Sequence, residues 1–259
     1  MRKLTLITGA SEGIGAEFAK VMAQAGHDLA LTARRADRLD ALADAIAASG
    51  RPRPLIIACD LSQAEGADTL EAALRDAGAQ VEILVNNAGF GLLGAARSLD
   101  RAAQLDMINL NIRALTDLTL RFLPQIVAAR GRILQVASTA AFLPGPSMAV
   151  YYATKAYVLS FSEALGQEVK GAGVQVSVLC PGPTSTGFQT RAGLDAVLFE
   201  KLRPMKAHDV AQAGYAGLMT GRRVIVPGVM NKISRVLAGL TPRALLLPIV
   251  ERLQKSRKA

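Results

Sequence analysis

Short apolar runs recur along the chain, each followed by a longer stretch in which apolar positions return at helical spacing. The runs at Lys3 to Thr8, Asp28 to Thr32, Pro54 to Ala58, Val81 to Val85, Arg132 to Ala137, Val174 to Leu179 and Arg223 to Val226 predict strands. The intervening patterns predict helices from about Gly13 to Ala25, Ala36 to Ser49, Ala64 to Asp76, Ala102 to Ala128 and Tyr151 to Lys170. Gly26 stands where a helix commonly stops, Ser62 is placed to cap the third helix, and Pro124 is expected to bend or end the fourth.

Strands rich in Val, Ile and Leu that alternate with helices indicate a parallel sheet covered on both faces. No fixed-period repeat and no low-complexity linker divides the chain. The expected fold is therefore α/β, a single doubly wound domain over residues 1–228 with a seven-stranded parallel sheet flanked by helices. Residues 229–259 form a C-terminal helical extension, Val229 to Leu240 and Ala244 to Lys258, broken at Pro242.

Composition narrows the class. With 51% hydrophobic and 20% charged residues in 259, the chain is not disordered. Its apolar stretches, such as Ala244 to Val250, fall far short of the roughly 18 residues of a spanning helix. Strand pattern begins by Leu4, which leaves no room for a signal peptide, and two cysteines, Cys59 and Cys180, make no disulfide framework. A cytoplasmic location is the expectation. The formal charge of +9 is unevenly spread: residues 222–259 carry +8 and the rest +1. A nearly neutral body thus bears a basic tail. No base-reading motif or aromatic interleaving accompanies that charge, so no nucleic-acid partner is expected.

Candidate chemistry begins after the first strand, in Thr8-Gly9-Ala10-Ser11-Glu12-Gly13-Ile14-Gly15. Glycines between a strand and a helix let the backbone turn tightly and approach a pyrophosphate at the helix N-terminus. Alone, the turn is also compatible with simple chain reversal. Further along stand Asn86-Asn87-Ala88-Gly89 after the fourth strand, Ser138, Tyr151-Tyr152-Ala153-Thr154-Lys155, and Pro181-Gly182-Pro183-Thr184-Ser185-Thr186. In type, order and position this set resembles the short-chain dehydrogenase/reductase family, over roughly residues 3–228.

The resemblance implies a Rossmann-like fold and hydride transfer between a nicotinamide cofactor and a carbonyl/alcohol pair. Tyr151 and Lys155, four apart on a helix, share a face. A free phenol has a pKa near 10, and a neighbouring ammonium together with a positive nicotinamide would favour the phenolate. In that scheme Ser138 bonds the substrate oxygen and Tyr151 is the general acid/base. Lys155 also holds the nicotinamide ribose. Asn111, in Asn109-Leu110-Asn111-Ile112-Arg113-Ala114, aligns with the family's relay asparagine better than Asn109 does. Gly9, Ser11, Glu12, Gly13, Ile14, Gly15, Asp60, Leu61, Asn87, Ala88, Gly89, Pro181, Gly182, Thr184 and Thr186 match positions that line the cofactor. No metal is implied.

The second strand ends in Thr32-Ala33-Arg34-Arg35, with no acid to bond a ribose 2′-hydroxyl. Arg34 and Arg35 favour NADP(H) over NAD(H), while Glu12, where NADP users often carry a basic residue, pulls the other way. Residues 187–205 fall where the family places a substrate lid; its Phe188, Leu194, Val197, Leu198 and Phe199, with Phe90, Leu92, Leu93, Phe142 and Leu143, promise an apolar pocket. A small or medium hydrophobic ketone, aldehyde or 3-oxoacyl group fits it; Arg191 is the nearest anionic anchor. A homodimer or homotetramer is implied by the family's use of the helices bearing Asn111 and Tyr151. The basic tail allows two readings: packing over the cleft or a partner subunit, or peripheral membrane contact through residues 229–259. The alternative classes are a non-catalytic NADP-binding regulatory or scaffold protein on the same fold, and a peripheral membrane protein acting through its tail.

Overall fold

The structure is a computed structural model that describes residues 2–188, 192–193 and 203–255. β1 (Arg2–Thr8), α1 (Gly13–Gln24), β2 (Leu29–Ala33), α2 (Ala36–Ala48), β3 (Leu55–Ala58) and α3 (Gly66–Asp76) make the first half. The second runs through β4 (Ala79–Asn86), α4 (Arg101–Ile108), α5 (Leu115–Ala129), β5 (Arg132–Val136), α6 (Ala149–Glu168) and β6 (Gln175–Leu179). Then come β7 (Thr184–Ser185), β8 (Met205–Lys206), α7 (Ala207–Met219), β9 (Val224–Ile225), α8 (Val229–Leu240) and α9 (Arg243–Lys255).

Seven strands form one parallel sheet in the order β3-β2-β1-β4-β5-β6-β9, and β7 pairs separately with β8. The chain reverses its direction of travel between β1 and β4, so the loops leaving their carboxyl ends diverge and open a crevice. Alternation along β1 divides the core: Ile7 joins Phe18 and Met22 of α1 and Val210 of α7 on one face. Leu6 joins Leu70 of α3, Phe122 of α5 and Leu165 of α6 on the other. Each such side chain contributes about 1.5–3 kcal/mol by leaving water, which holds both helical layers to the sheet.

The predicted strands and helices are present, with three local differences. Ser62 does not cap α3; its hydroxyl and amide both donate to Asp60 Oδ1, at 2.7 and 3.0 Å, closing a turn that delays the helix until Gly66. Pro124 does not end its helix, which continues to Ala129. The proline removes the bond to Leu120, a residue on the exposed side, where water can serve the freed carbonyl. The long fourth helix is also not uniform: Asn109–Ala114 is a π-helical segment joining α4 to α5.

Candidate active site

The glycine turn and the Asn-Asn-Ala-Gly turn interlock at the crevice. Thr8 Oγ1 accepts from the backbone N–H groups of Asn87 and Ala88, each at 3.0 Å. Asn87 Nδ2 returns bonds to the carbonyls of Thr8 and Gly9. Gly9 takes φ +66°, and a Cβ there would lie 2.8 Å from Ala88 Cα. A Cβ on Gly15 would come within 2.3 Å of the Gly9 carbonyl, so α1 could not sit so close to the turn. α1 starts at Gly13 with no side-chain cap. Its first amides are therefore left to an anion in the crevice.

Beside this turn, at the end of β2, lies a basic cluster. Arg34 is 3.8 Å from Asp60, Arg35 pairs with Glu12 at 2.9 Å and donates to Ser11 Oγ, and Arg38 pairs with Glu12 at 3.1 Å. All these pairs are partly solvated, so they are weak and free to rearrange around a stronger anion. Arg38, in the first turn of α2, escaped the sequence reading, although its place in the run Arg34-Arg35-Ala36-Asp37-Arg38 was the available signal. Glu12, expected to line the cofactor, does border the cleft, and its carboxylate is engaged by the two arginines.

On the opposite side, β5 delivers Ser138 and α6 delivers Tyr151 and Lys155. Ser138 is extended, and its Oγ accepts from Ala140 N at 3.1 Å, which fixes the hydroxyl at the start of a short 3₁₀ turn. That hydroxyl also hydrogen-bonds the Tyr151 phenol. Lys155 Nζ donates to the Val136 carbonyl at 2.9 Å and lies 5.9 Å from the centre of the Tyr151 ring. Both residues are buried, and burial governs their protonation. It pushes the Tyr151 phenol up to about 12 against the Ser138 hydrogen bond, and lowers the Lys155 ammonium to about 8. The protein alone thus favours the neutral phenol, because desolvation outweighs the Ser138 hydrogen bond.

Asn111, not Asn109, is the buried member of its pair. It sits in the π-helical segment, where its Oδ1 accepts from Phe90 N at 3.1 Å and its Nδ2 donates to Phe90 O at 2.9 Å and Thr154 Oγ1 at 3.1 Å. The side chain therefore ties the Gly89–Phe90 turn to α6 and does not border the cleft. A Cβ on Gly89 would fall 2.9 Å from Asn111 Oδ1 and 3.5 Å from Lys155 Nζ, so glycine keeps this corner open. Cys180 is fully buried, and burial raises its thiol to about 12, in keeping with a strand filler.

These features border one cleft of about 860 Å³, which every predicted site residue lines except Gly15 and Asn111. Among the described residues no group of His, Cys, Asp and Glu could hold a metal ion. The end beyond Ser138 and Tyr151 is walled by Met148, Tyr152, Phe188 and Gln254. Of the predicted apolar pocket, among the described residues only Phe188 reaches the cleft; Leu194, Val197, Leu198 and Phe199 lie outside them. Phe90, Leu92 and Leu93 pack in the cluster behind Tyr151, and Phe142 lies beneath the Arg235 guanidinium at 4.9 Å. Leu143 does not border it either. Arg191 and most of the lid lie outside the described residues.

Gln254 is a functional candidate that the sequence did not disclose. It comes from α9, is 1% exposed, and donates through Nε2 to the Tyr152 hydroxyl. Its spacing of four from Val250 and eight from Leu246, both buried, is the signal in hindsight.

Comparison with known proteins agrees with this geometry. The family profile described as short chain dehydrogenase matches residues 3–196. A sulfoacetaldehyde reductase of Chromohalobacter salexigens is 36% identical over 220 residues, covering 82% of this chain and 86% of its own. A short-chain dehydrogenase from Sphingobium yanoikuyae, solved in complex with NADPH, superposes with a TM-score of 0.81 at 31% identity, covering 94% of this chain and 98% of the other. A 3-ketoacyl-(acyl-carrier-protein) reductase from Brucella melitensis, complexed with NADH, gives 0.77 at 29% identity over 87% and 96% of the two chains. The crevice at the β1/β4 reversal, the glycine turn and the profile match lead to one conclusion: this chain belongs to the short-chain dehydrogenase family of oxidoreductases.

Proposed function

We propose that this protein is an NADP(H)-dependent carbonyl reductase or alcohol dehydrogenase acting on a small or medium hydrophobic ketone, aldehyde or 3-oxoacyl group. The observation that carries the reading is the cleft itself: Ser138, Tyr151 and Lys155 border one end, Arg34 and Arg35 the other, with Arg38 behind them on Glu12. The glycine cradle and the uncapped start of α1 fit a pyrophosphate between them. A nicotinamide cofactor in this cleft supplies or accepts the hydride. Arg34, with Arg38 from the next turn, is placed to meet a 2′-phosphate by charge-assisted hydrogen bonds.

In reduction, the Ser138 hydroxyl holds the substrate carbonyl oxygen and Tyr151 Oη donates a proton to it as negative charge develops. A phenol kept neutral by burial is ready for that direction at neutral pH. In oxidation, Tyr151 must first lose its proton, and the Lys155 ammonium favours this state. Asn111 is a positioning residue, holding Gly89, Phe90 and α6 in register. Met148, Tyr152 and Phe188 give the substrate end its apolar character. Exposed Leu105, Ile108, Leu120 and Tyr157 on α4, α5 and α6 suit a homo-oligomeric contact in the cytoplasm.

NADPH consumption against a panel of ketones, aldehydes and 3-oxoacyl thioesters tests the reading. Turnover of hydrophobic carbonyls by the wild type, lost in Tyr151→Phe, is expected. Tight NADPH binding with no turnover on the panel would favour a non-catalytic cofactor-binding protein.

A further inference from the structure

We propose that α8 and α9 form a docking surface for an anionic lipid bilayer, set beside the mouth of the cleft. α8 is turned the opposite way from a helix that serves a protein core. Its body-facing side is polar: Asn231 packs where a Cβ on Gly182 would come within 2.3 Å of Asn231 Oδ1, and Arg235 lies over the Phe142 ring. Its outward side carries Val229, Ile233, Val236 and Leu240, the last two 59% and 76% exposed, and the helix buries no residue. α9 continues the surface. Leu246 and Val250 turn inward with Gln254, whereas Leu245 and Ile249, one residue out of step, remain exposed.

The charge selects the occupant. Lys232, Arg243 and Arg252 are exposed around this apolar face, and Glu251 is the sole acid in residues 222–259, which carry +8. A second copy joined by a two-fold axis would set these like charges against each other. An anionic leaflet neutralises them while taking up the apolar side chains, the arrangement of an interfacial amphipathic helix. The opposite stripe of α9 places Gln254 in the cleft wall, so docking brings the substrate end of the cleft against the lipid. Delivery of hydrophobic substrate from the bilayer follows only if the proposed reductase activity holds; the docking does not depend on it.

Co-sedimentation of the full chain with phosphatidylcholine vesicles, with and without phosphatidylglycerol, tests the surface. On the order of tenfold more protein should pellet with the anionic vesicles, and high salt should reduce the difference. Val236→Glu with Leu240→Glu should remain in the supernatant while retaining NADPH turnover and an unchanged mass by light scattering. Lys232→Glu with Arg243→Glu should lose the preference for anionic lipid. Equal sedimentation with and without phosphatidylglycerol would overturn the proposal. So would undiminished pelleting of the Val236/Leu240 variant, or a change in its oligomeric mass, which would make the face a subunit contact.

Discussion

The Gln254 carboxamide donates a hydrogen bond to the hydroxyl of Tyr152, the residue next to the proposed acid/base Tyr151. A side chain from the last helix is thereby built into the wall facing the substrate. Gln254→Ala should raise KM for hydrophobic ketones several-fold while leaving NADPH affinity unchanged, since the basic cluster lies at the other end of the cleft. Steady-state kinetics with both substrates varied distinguishes this from general destabilisation, in which both would weaken.

Tyr151→Phe removes one oxygen and keeps the ring against Phe188. Turnover should fall by roughly 10²–10⁴, the usual contribution of acid–base catalysis, with NADPH binding within a few-fold of the wild type. Comparable turnover in the two proteins would contradict the assignment.

Arg34→Ala should weaken NADPH by roughly ten- to a hundredfold and NADH far less, because a charge-assisted bond to a phosphate contributes about 1.5–3 kcal/mol. Glu12→Gln should act in the opposite sense, releasing Arg35 and Arg38 from their carboxylate partner. Fluorescence titration with both cofactors separates the two; equal losses of NADPH and NADH in Arg34→Ala would place the 2′-phosphate elsewhere.

The buried Lys155 ties stability to pH. Its folded pKa is about 8 and its ordinary value 10.5, so between these the unfolded chain holds more protons than the folded one. Stability contributed by this group therefore rises with pH across that window, and the cost of burying the ammonium is fully present below pH 8. Lys155→Met should be the more stable protein at pH 7, by up to about 3 kcal/mol, with the gap narrowing toward pH 10. Denaturant unfolding at both pH values checks the slope; a gap that widens with pH would contradict it.

Much of the fold was legible because it depends on local pattern. Val-, Ile- and Leu-rich runs between amphipathic stretches specify a parallel sheet, and Tyr151 and Lys155 share a face by helix periodicity alone. What was not legible depends on distant neighbours. Gln254 is an ordinary polar residue until folding carries it to the cleft, and Arg38 until folding sets it against Glu12. Phe142 is an apolar side chain beside Ser138 in the sequence, yet α8 covers its ring with Arg235. The protonation of Tyr151 depends on distant neighbours too: the desolvation that raises its pKa comes from the packed surroundings.

The π-helical turn at Asn109–Ala114 amounts to a single inserted residue in an otherwise regular rod. Winding the segment into a regular α-helix at its present length would rotate one half of the rod by about 100° relative to the other. Either Asn111 would leave Phe90, or the apolar face of α5 would leave the sheet. The bulge thus lets one helix serve two docking partners that a regular helix of the same length cannot serve together. Deleting one residue of the segment other than Asn111 should therefore regularise the helix and leave both halves on their present faces, whereas an added residue should not be absorbed.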